Sequence, residues 1–217
     1  MVVGIIQEFP NLKNINRNMV VRHDKKFVFT SVPKTGSKTL MLQLSLDPGV
    51  INDPPHIYHA TIKDSITNLE NPENYFKFGL VRHPIERFIS TYMDGISDPG
   101  HIRDWSKNLL NYDSLEDFCK NFANDEIRND IHFIPQYNFF YENDLCLADR
   151  IYRYEKFSES CTEISQKFNI HIDSSIRTRQ TNRNRDFTHY LSTESIKFLS
   201  DYYKKDFEFF NYEIPFT

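Results

Sequence analysis

Glycine is scarce in this chain of 217 residues: six in all, too few for a Gly-rich repeat, a collagen-like chain or a flexible linker protein. Cysteine is scarcer. Cys119, Cys146 and Cys161 are odd in number and widely spaced, with no C-x-x-C pair, so the zinc and dithiol redox motifs are missing and free thiols in a reducing compartment are expected. No apolar run approaches the roughly 20 residues that span a bilayer. The apolar opening, Met1–Ile6, is too short for a signal-peptide core and has no basic leader, so a soluble, cytoplasmic protein without a membrane span is expected. Positive charge is not in excess either. The 26 Lys plus Arg face 30 Asp plus Glu, a formal charge of −4, which speaks against nucleic acid as a partner but leaves room for a local basic pocket around a small anion.

Aromatic residues are plentiful, at 15% with 19 Phe and 12 Tyr but one Trp, so rings must do much of the packing. The length favours a single domain. Residues 1–25, polar and Asn-rich after the apolar start, read as an N-terminal arm, and 26–217 as one domain. Lys26–Val32 is a buried-strand pattern, followed by a turn-rich loop and a helix carrying Leu40, Met41 and Leu44. A short helix is expected over Thr61–Leu69 and a second strand over Tyr75–Val81. A helix led by Pro84 follows, running through Phe88 and Tyr92 towards Gly95. Ser114 is a candidate helix cap. Arg150–Tyr154 reads as a third strand, Phe157–Phe168 as a helix, and Ser192–Asp206 as a last helix ending in a cluster of rings. This order specifies an α/β fold, a central parallel sheet flanked by helices.

Two segments carry chemistry. Pro33-Lys34-Thr35-Gly36-Ser37-Lys38-Thr39 joins a strand to a helix N-terminus, where backbone N–H groups and the helix dipole favour phosphate or sulfate. Lys34 adds a full charge, Ser37 and Thr39 add hydroxyls, and Gly36 admits close approach of the backbone. The nucleotide triphosphatase pattern G-x-x-x-x-G-K-[ST] fails here at two positions: Ser31 stands for the first glycine, and Ser37 follows Gly36. The second segment, Arg82 to Tyr92, fits R-x-P-x-x-R-x-x-S-x-Y. It places Arg82 at a strand's C-terminal end and Ser90 about two turns into the helix, a guanidinium and a hydroxyl suited to a phosphate monoester. Arg87 reads equally well as a ligand-binding or a structural arginine.

In this order and spacing, the two segments resemble the nucleotide-binding signature of sulfotransferases that use 3′-phosphoadenosine 5′-phosphosulfate (PAPS). His132–Gln136 is similar to the H-x-x-P-Q segment of the carbohydrate branch (sulfotransferase family 2), Arg153–Phe157 to its R-[FY]-E-x-[FL], and Tyr202–Tyr212 to its closing aromatic segment. The resemblance implies a P-loop-like sulfotransferase fold and transfer of a sulfuryl group from PAPS, as co-substrate, to a hydroxyl of a carbohydrate, with no metal. It also implies that Lys34, Thr35, Gly36, Ser37, Lys38 and Thr39 hold the 5′-phosphosulfate and that Arg82 and Ser90 hold the 3′-phosphate. Lys34 would stabilise the leaving phosphate. His59, in an H-A-T segment, would be the base, with Tyr58 standing where relatives can carry a lysine.

Other readings stand beside these. His56 and His59 form an H-x-x-H pair without a third metal ligand in view, and either could be a surface histidine. His132 reads as a pocket wall or a packed core histidine. Arg177, Arg179, Arg183 and Arg185 read as a solvated loop, or as a lid over the 3′-phosphate or a groove for an anionic acceptor. The functional alternatives are a P-loop-type nucleotide-dependent kinase and a non-catalytic protein that binds nucleotide or sulfated glycan.

Overall fold

The computed structural model describes residues 20–45, 61–67, 69–97, 104–176 and 183–216. Four strands form one sheet in the order β1 (Val20–Arg22), β2 (Phe27–Thr30), β3 (Phe76–Val81) and β6 (Arg150–Arg153). The three strands expected from the apolar runs are the parallel ones, β2, β3 and β6. The expectation of a wholly parallel sheet needs correction, because β1 lies antiparallel on β2. Residues 20–22 belong to the polar stretch that reads as an arm in the sequence. A tight turn with Lys26 at φ 53 folds them back, and Val20 is buried against the sheet's core. Between β3 and β6 a two-residue hairpin, β4 (Tyr141–Glu142) and β5 (Leu145–Cys146), stands apart from the sheet.

Side chains alternate across the sheet. Phe27, Phe29, Phe78, Leu80 and Tyr152 face α1 (Ser37–Ser45) and α6 (Phe157–Phe168), meeting Leu40, Leu44, Ile164 and Phe168. Val81 and Ile151 face α2 (Ile62–Ile66) and α5 (Tyr137–Phe140). Gly79 is on that second face, where an added Cβ would lie 2.6 Å from the Phe140 ring and 2.8 Å from the Thr30 carbonyl.

A third cluster is built on α3 (Pro84–Ile96). Its Ile85, Phe88, Ile89 and Tyr92 pack against α4 (Leu115–Asn121), α7 (Thr193–Tyr202) and α8 (Lys204–Phe209). The rings of Phe88 and Phe118 stack at 5.4 Å, as the aromatic composition required. Local signals set the helix ends: Thr61 and Asp64 form a capping box on α2, and Ser114 Oγ accepts from Asp117 N at 3.1 Å on α4. The single last helix expected over 192–206 is instead two. The chain breaks at Tyr203, whose buried hydroxyl donates to the Phe133 carbonyl at 2.7 Å, and the break turns Asp206 and Phe207 inward.

The register brings Thr30, Val81 and Arg153 to one end of the sheet. Residues 31–36, 82–83 and 154–156 therefore leave from the C-terminal edge of three parallel strands, the place where open α/β sheets bind ligands. Among the described residues, no helix is long and apolar enough to cross a membrane.

Candidate functional site

The loop after β2 is braced from within. Thr35 Oγ1 and Ser37 Oγ both donate to the Val32 carbonyl, at 3.0 and 2.6 Å, and Ser31 Oγ donates to Ser37 Oγ at 3.0 Å. These hydroxyls shape the loop, whereas the sequence alone presented Ser37 as a donor to an anion. Thr39 is buried in the first turn of α1, and Lys38 beside it is half-buried. Gly36 has φ 77, and an added Cβ would sit 2.9 Å from Tyr154 Cδ2 and 3.1 Å from Phe157 Cε2. Glycine is thus required twice, for the left-handed backbone and for the close approach of the strand-β6 loop. Lys34, without that licence, also adopts φ 65. Such a conformation costs on the order of 1–3 kcal/mol and persists only where its surroundings enforce it.

Arg82 supplies part of that enforcement. Its Nη1 donates to the Lys34 carbonyl at 3.3 Å and its Nη2 to Glu86 Oε2 at 2.9 Å, while the guanidinium lies 4.7 Å from the centre of the Tyr154 ring. Burial draws the Arg82 pKa down, and the Glu86 carboxylate opposes the shift. Glu86 is the hub of the cationic cluster. Arg183 grips it with both terminal nitrogens, its side chain 4% exposed, and Arg185 Nη1 stands 3.8 Å away. Arg183 Nε is buried with no hydrogen-bond partner among the described residues. Of the basic loop, Arg183 and Arg185 thus converge on Glu86, the carboxylate that also pairs with Arg82; Arg177 and Arg179 lie outside the described residues. Ser90 is buried one turn beyond Glu86 on the same side of α3. Beside this cluster opens a cleft of about 540 Å³, walled by Arg82, His83, Tyr154, Phe157, Arg185 and Phe187, a volume in the range of small-molecule sites.

The other signature residues hold these in place. Arg87 is fully buried and donates to three carbonyls: Pro33 at 3.2 Å, Ile134 at 3.0 Å and His132 at 2.9 Å. That settles its two readings in favour of structure. The side-chain amide of Gln136 pairs with the Arg82 backbone, and buried Asp206 accepts from Gln136 N at 2.9 Å and Tyr137 N at 2.7 Å, capping α5. Burial pushes the Asp206 carboxyl up, and the Arg87 charge and these N–H donors work against that shift. Glu155 accepts from His83 N at 2.7 Å and from the Tyr212 hydroxyl at 2.9 Å, tying the β6 loop to the start of α3 and to the tail.

His132 has its Nδ1 2.7 Å from Asp130 Oδ1 and stacks on Trp105 at 4.2 Å between ring centres. An ionised carboxylate only accepts, so the proton sits on Nδ1; the ring is both packed and hydrogen-bonded. His56 and His59 lie outside the described residues. Three participants carry no site role in the sequence signals: Glu86, inside the R-x-P-x-x-R segment; Tyr154, inside the R-[FY]-E-x-[FL] segment, which lies beneath Arg82 and close to Gly36; and Asp94, whose Oδ1 is 3.2 Å from Lys34 Nζ. The i, i+4 spacing of Glu86, Ser90 and Asp94 was the available signal. Among the described residues, no group of three His, Cys, Asp or Glu side chains is arranged to hold a metal ion.

Residues 17–213 match a family model whose description is "Sulfotransferase family". No curated protein and no solved structure matches the chain.

Proposed function

The chain belongs to the sulfotransferase family, and on that premise we propose that it moves a sulfuryl group from PAPS to a hydroxyl of a carbohydrate acceptor. One observation supports this reading: the Pro33–Gly36 loop, the N-terminus of α1 and Arg82 come together at the C-terminal edge of β2 and β3. The residues present suit a doubly charged nucleotide. Gly36 lets the loop turn through a left-handed backbone close against Tyr154, and the loop amides and Lys34 offer positive charge to a 5′-phosphosulfate. Arg82 and Ser90 offer a guanidinium and a hydroxyl to a 3′-phosphate, and the unpartnered Nε of Arg183 offers a further donor nearby. The aromatic walls of the adjoining cleft, Tyr154, Phe157 and Phe187, suit a purine ring.

In this mechanism the acceptor oxygen attacks sulfur in line with the bond to the 5′-phosphate. That S–O bond breaks as the new one forms, and 3′-phosphoadenosine 5′-phosphate (PAP) leaves. His59 takes the acceptor's proton. Lys34 and the loop N–H groups stabilise the charge that develops on the departing phosphate oxygen, the location where preorganised donors lower a barrier most. Thr35 and Ser37 act indirectly, by holding the loop through Val32.

The test is sulfur-labelled PAPS offered with a panel of polysaccharides, glycolipids and phenols, beside calorimetric titrations of PAP and ATP. Label transferred to a carbohydrate, with PAP bound in preference to ATP, is the expected result. A preference for ATP with Mg²⁺ dependence would establish phosphoryl transfer instead. Tight PAP binding with no transfer to any acceptor would make the protein a binding module.

A further inference from the structure

Glu86, Ser90 and Asp94 succeed one another at i, i+4 along α3 and form a polar stripe, half-buried at Glu86 and buried at Ser90 and Asp94. Lys34 lies across that stripe. Its carbonyl accepts from Arg82 Nη1 at 3.3 Å, and its ammonium reaches Asp94 Oδ1 at 3.2 Å. The side chains of Lys34 and Asp94 are 15% and 8% exposed, so this pair is largely withdrawn from water, where a lone carboxylate would be costly. The left-handed backbone at Lys34, φ 65, sets the direction in which its side chain leaves the loop.

We infer that Asp94 is a positioning residue for sulfuryl transfer, holding the Lys34 ammonium at the far end of the α3 stripe so that it meets the leaving phosphate oxygen already oriented. The inference rests on the PAPS reading above. An ammonium carries three N–H donors, so a bond to Asp94 does not use up its capacity to donate to a second acceptor. The value of the arrangement is preorganisation: a flexible four-carbon arm is confined before the reaction begins. A carboxylate at this place also repels an anionic nucleotide. Asp94 therefore works against cofactor binding while it assists transfer, and those opposite signs separate its role from that of a residue that only maintains the fold.

The decisive experiment measures PAP affinity by calorimetry and turnover with PAPS for the wild type, Asp94→Asn, Lys34→Met and the double variant. Asp94→Asn is expected to bind PAP as tightly as the wild type or more tightly, and to lose about 10- to 100-fold in kcat, the scale of loss from a misplaced catalytic group. In the Lys34→Met background, Asp94→Asn is expected to cost nothing further, because its effect runs through the lysine. Unchanged kcat, a parallel fall in kcat and PAP affinity, or a full additional loss in the double variant would overturn the assignment. Asp94→Glu carries the same test if the Asn variant does not fold. It keeps the charge but displaces the ammonium by one methylene, so PAP affinity should hold while kcat falls, and full turnover would overturn the inference. A wild-type protein that neither binds PAP nor transfers from PAPS sinks the parent reading; wild-type transfer with an indifferent Asp94→Asn sinks this one alone.

Discussion

The side-chain amide of Gln136 closes a two-way hydrogen bond with the backbone of Arg82: Oε1 accepts from Arg82 N at 2.9 Å, and Nε2 donates to Arg82 O at 2.8 Å. Gln136 thus continues the β3 ladder for one residue past the strand and sets where the Arg82 guanidinium begins. Asp206 steadies the same amide from behind, at 3.2 Å from Nε2.

Gln136→Ala should therefore destabilise the protein by about 2–4 kcal/mol, since it leaves a buried N–H and a buried carbonyl unpaired. Gln136→Glu should be worse at neutral pH, because it sets an oxygen against the Arg82 carbonyl and the Asp206 carboxylate. Urea denaturation followed by fluorescence measures both, and PAP affinity should fall with them. An unchanged urea midpoint in both variants would show that the pairing does not hold Arg82.

Arg87→Lys should cost about 3 kcal/mol although it keeps the charge. One ammonium cannot reach the carbonyls of Pro33, His132 and Ile134 together from the guanidinium's position, and any left behind is buried. The same denaturation series reads this. Because Pro33 precedes Lys34, weaker PAP binding is expected alongside the lost stability.

Gly36→Ala places a methyl group 2.9 Å from Tyr154 Cδ2 at φ 77. The left-handed backbone alone costs an alanine about 1–2 kcal/mol. For a chain of this size that corresponds to a fall of about 2–8 °C in Tm. Displacement of Tyr154 should also disturb the guanidinium lying on its other contacts and weaken PAP binding about tenfold. Scanning fluorimetry with and without PAP separates the two effects.

His83 provides a pH test. Burial lowers its pKa from the ordinary 6.5, the Glu155 and Glu86 carboxylates oppose the shift, the Arg82 charge adds to it, and its Nδ1 is buried without a partner. The unfolded chain therefore takes up this proton at a higher pH than the folded one. Stability from this group is fully present above pH 6.5 and is lost as pH falls through that value towards the lowered folded pKa. His83→Phe cannot titrate, so the difference in stability between wild type and variant should shift in the variant's favour as pH drops through this window. A pH-independent difference would show that His83 does not report the folding equilibrium.

Much of this architecture was legible in the sequence because its causes are local. Phe27–Thr30, Phe76–Val81 and Arg150–Arg153 are short apolar or alternating runs bounded by turn residues. Pro84 opens a helix where a missing N–H does no harm, and Ser114 caps one. Strand β1 was not legible: three residues in a polar stretch become a strand only because β2 offers them an edge and a pocket for Val20. Nor was the break at Tyr203, which follows from a buried hydroxyl seeking the carbonyl of Phe133, 70 positions away in the chain.

At the site the division is sharper. The residue types and their order, P-K-T-G after one strand and R-x-P-x-x-R-x-x-S after the next, were sufficient by themselves to identify the family. Tertiary structure alone decided how the signature divides its labour: Arg82 at the cleft, Arg87 inside the frame, Gln136 and Asp206 as its braces, Glu86 as the counter-charge of three arginines, and Asp94 on Lys34. The reason is physical. A strand or a cap is stabilised by neighbours within a few residues, whereas a buried charge is satisfied by whichever partner the fold brings within hydrogen-bonding distance. For Gln136 those partners stand 54 residues before it and 70 after it.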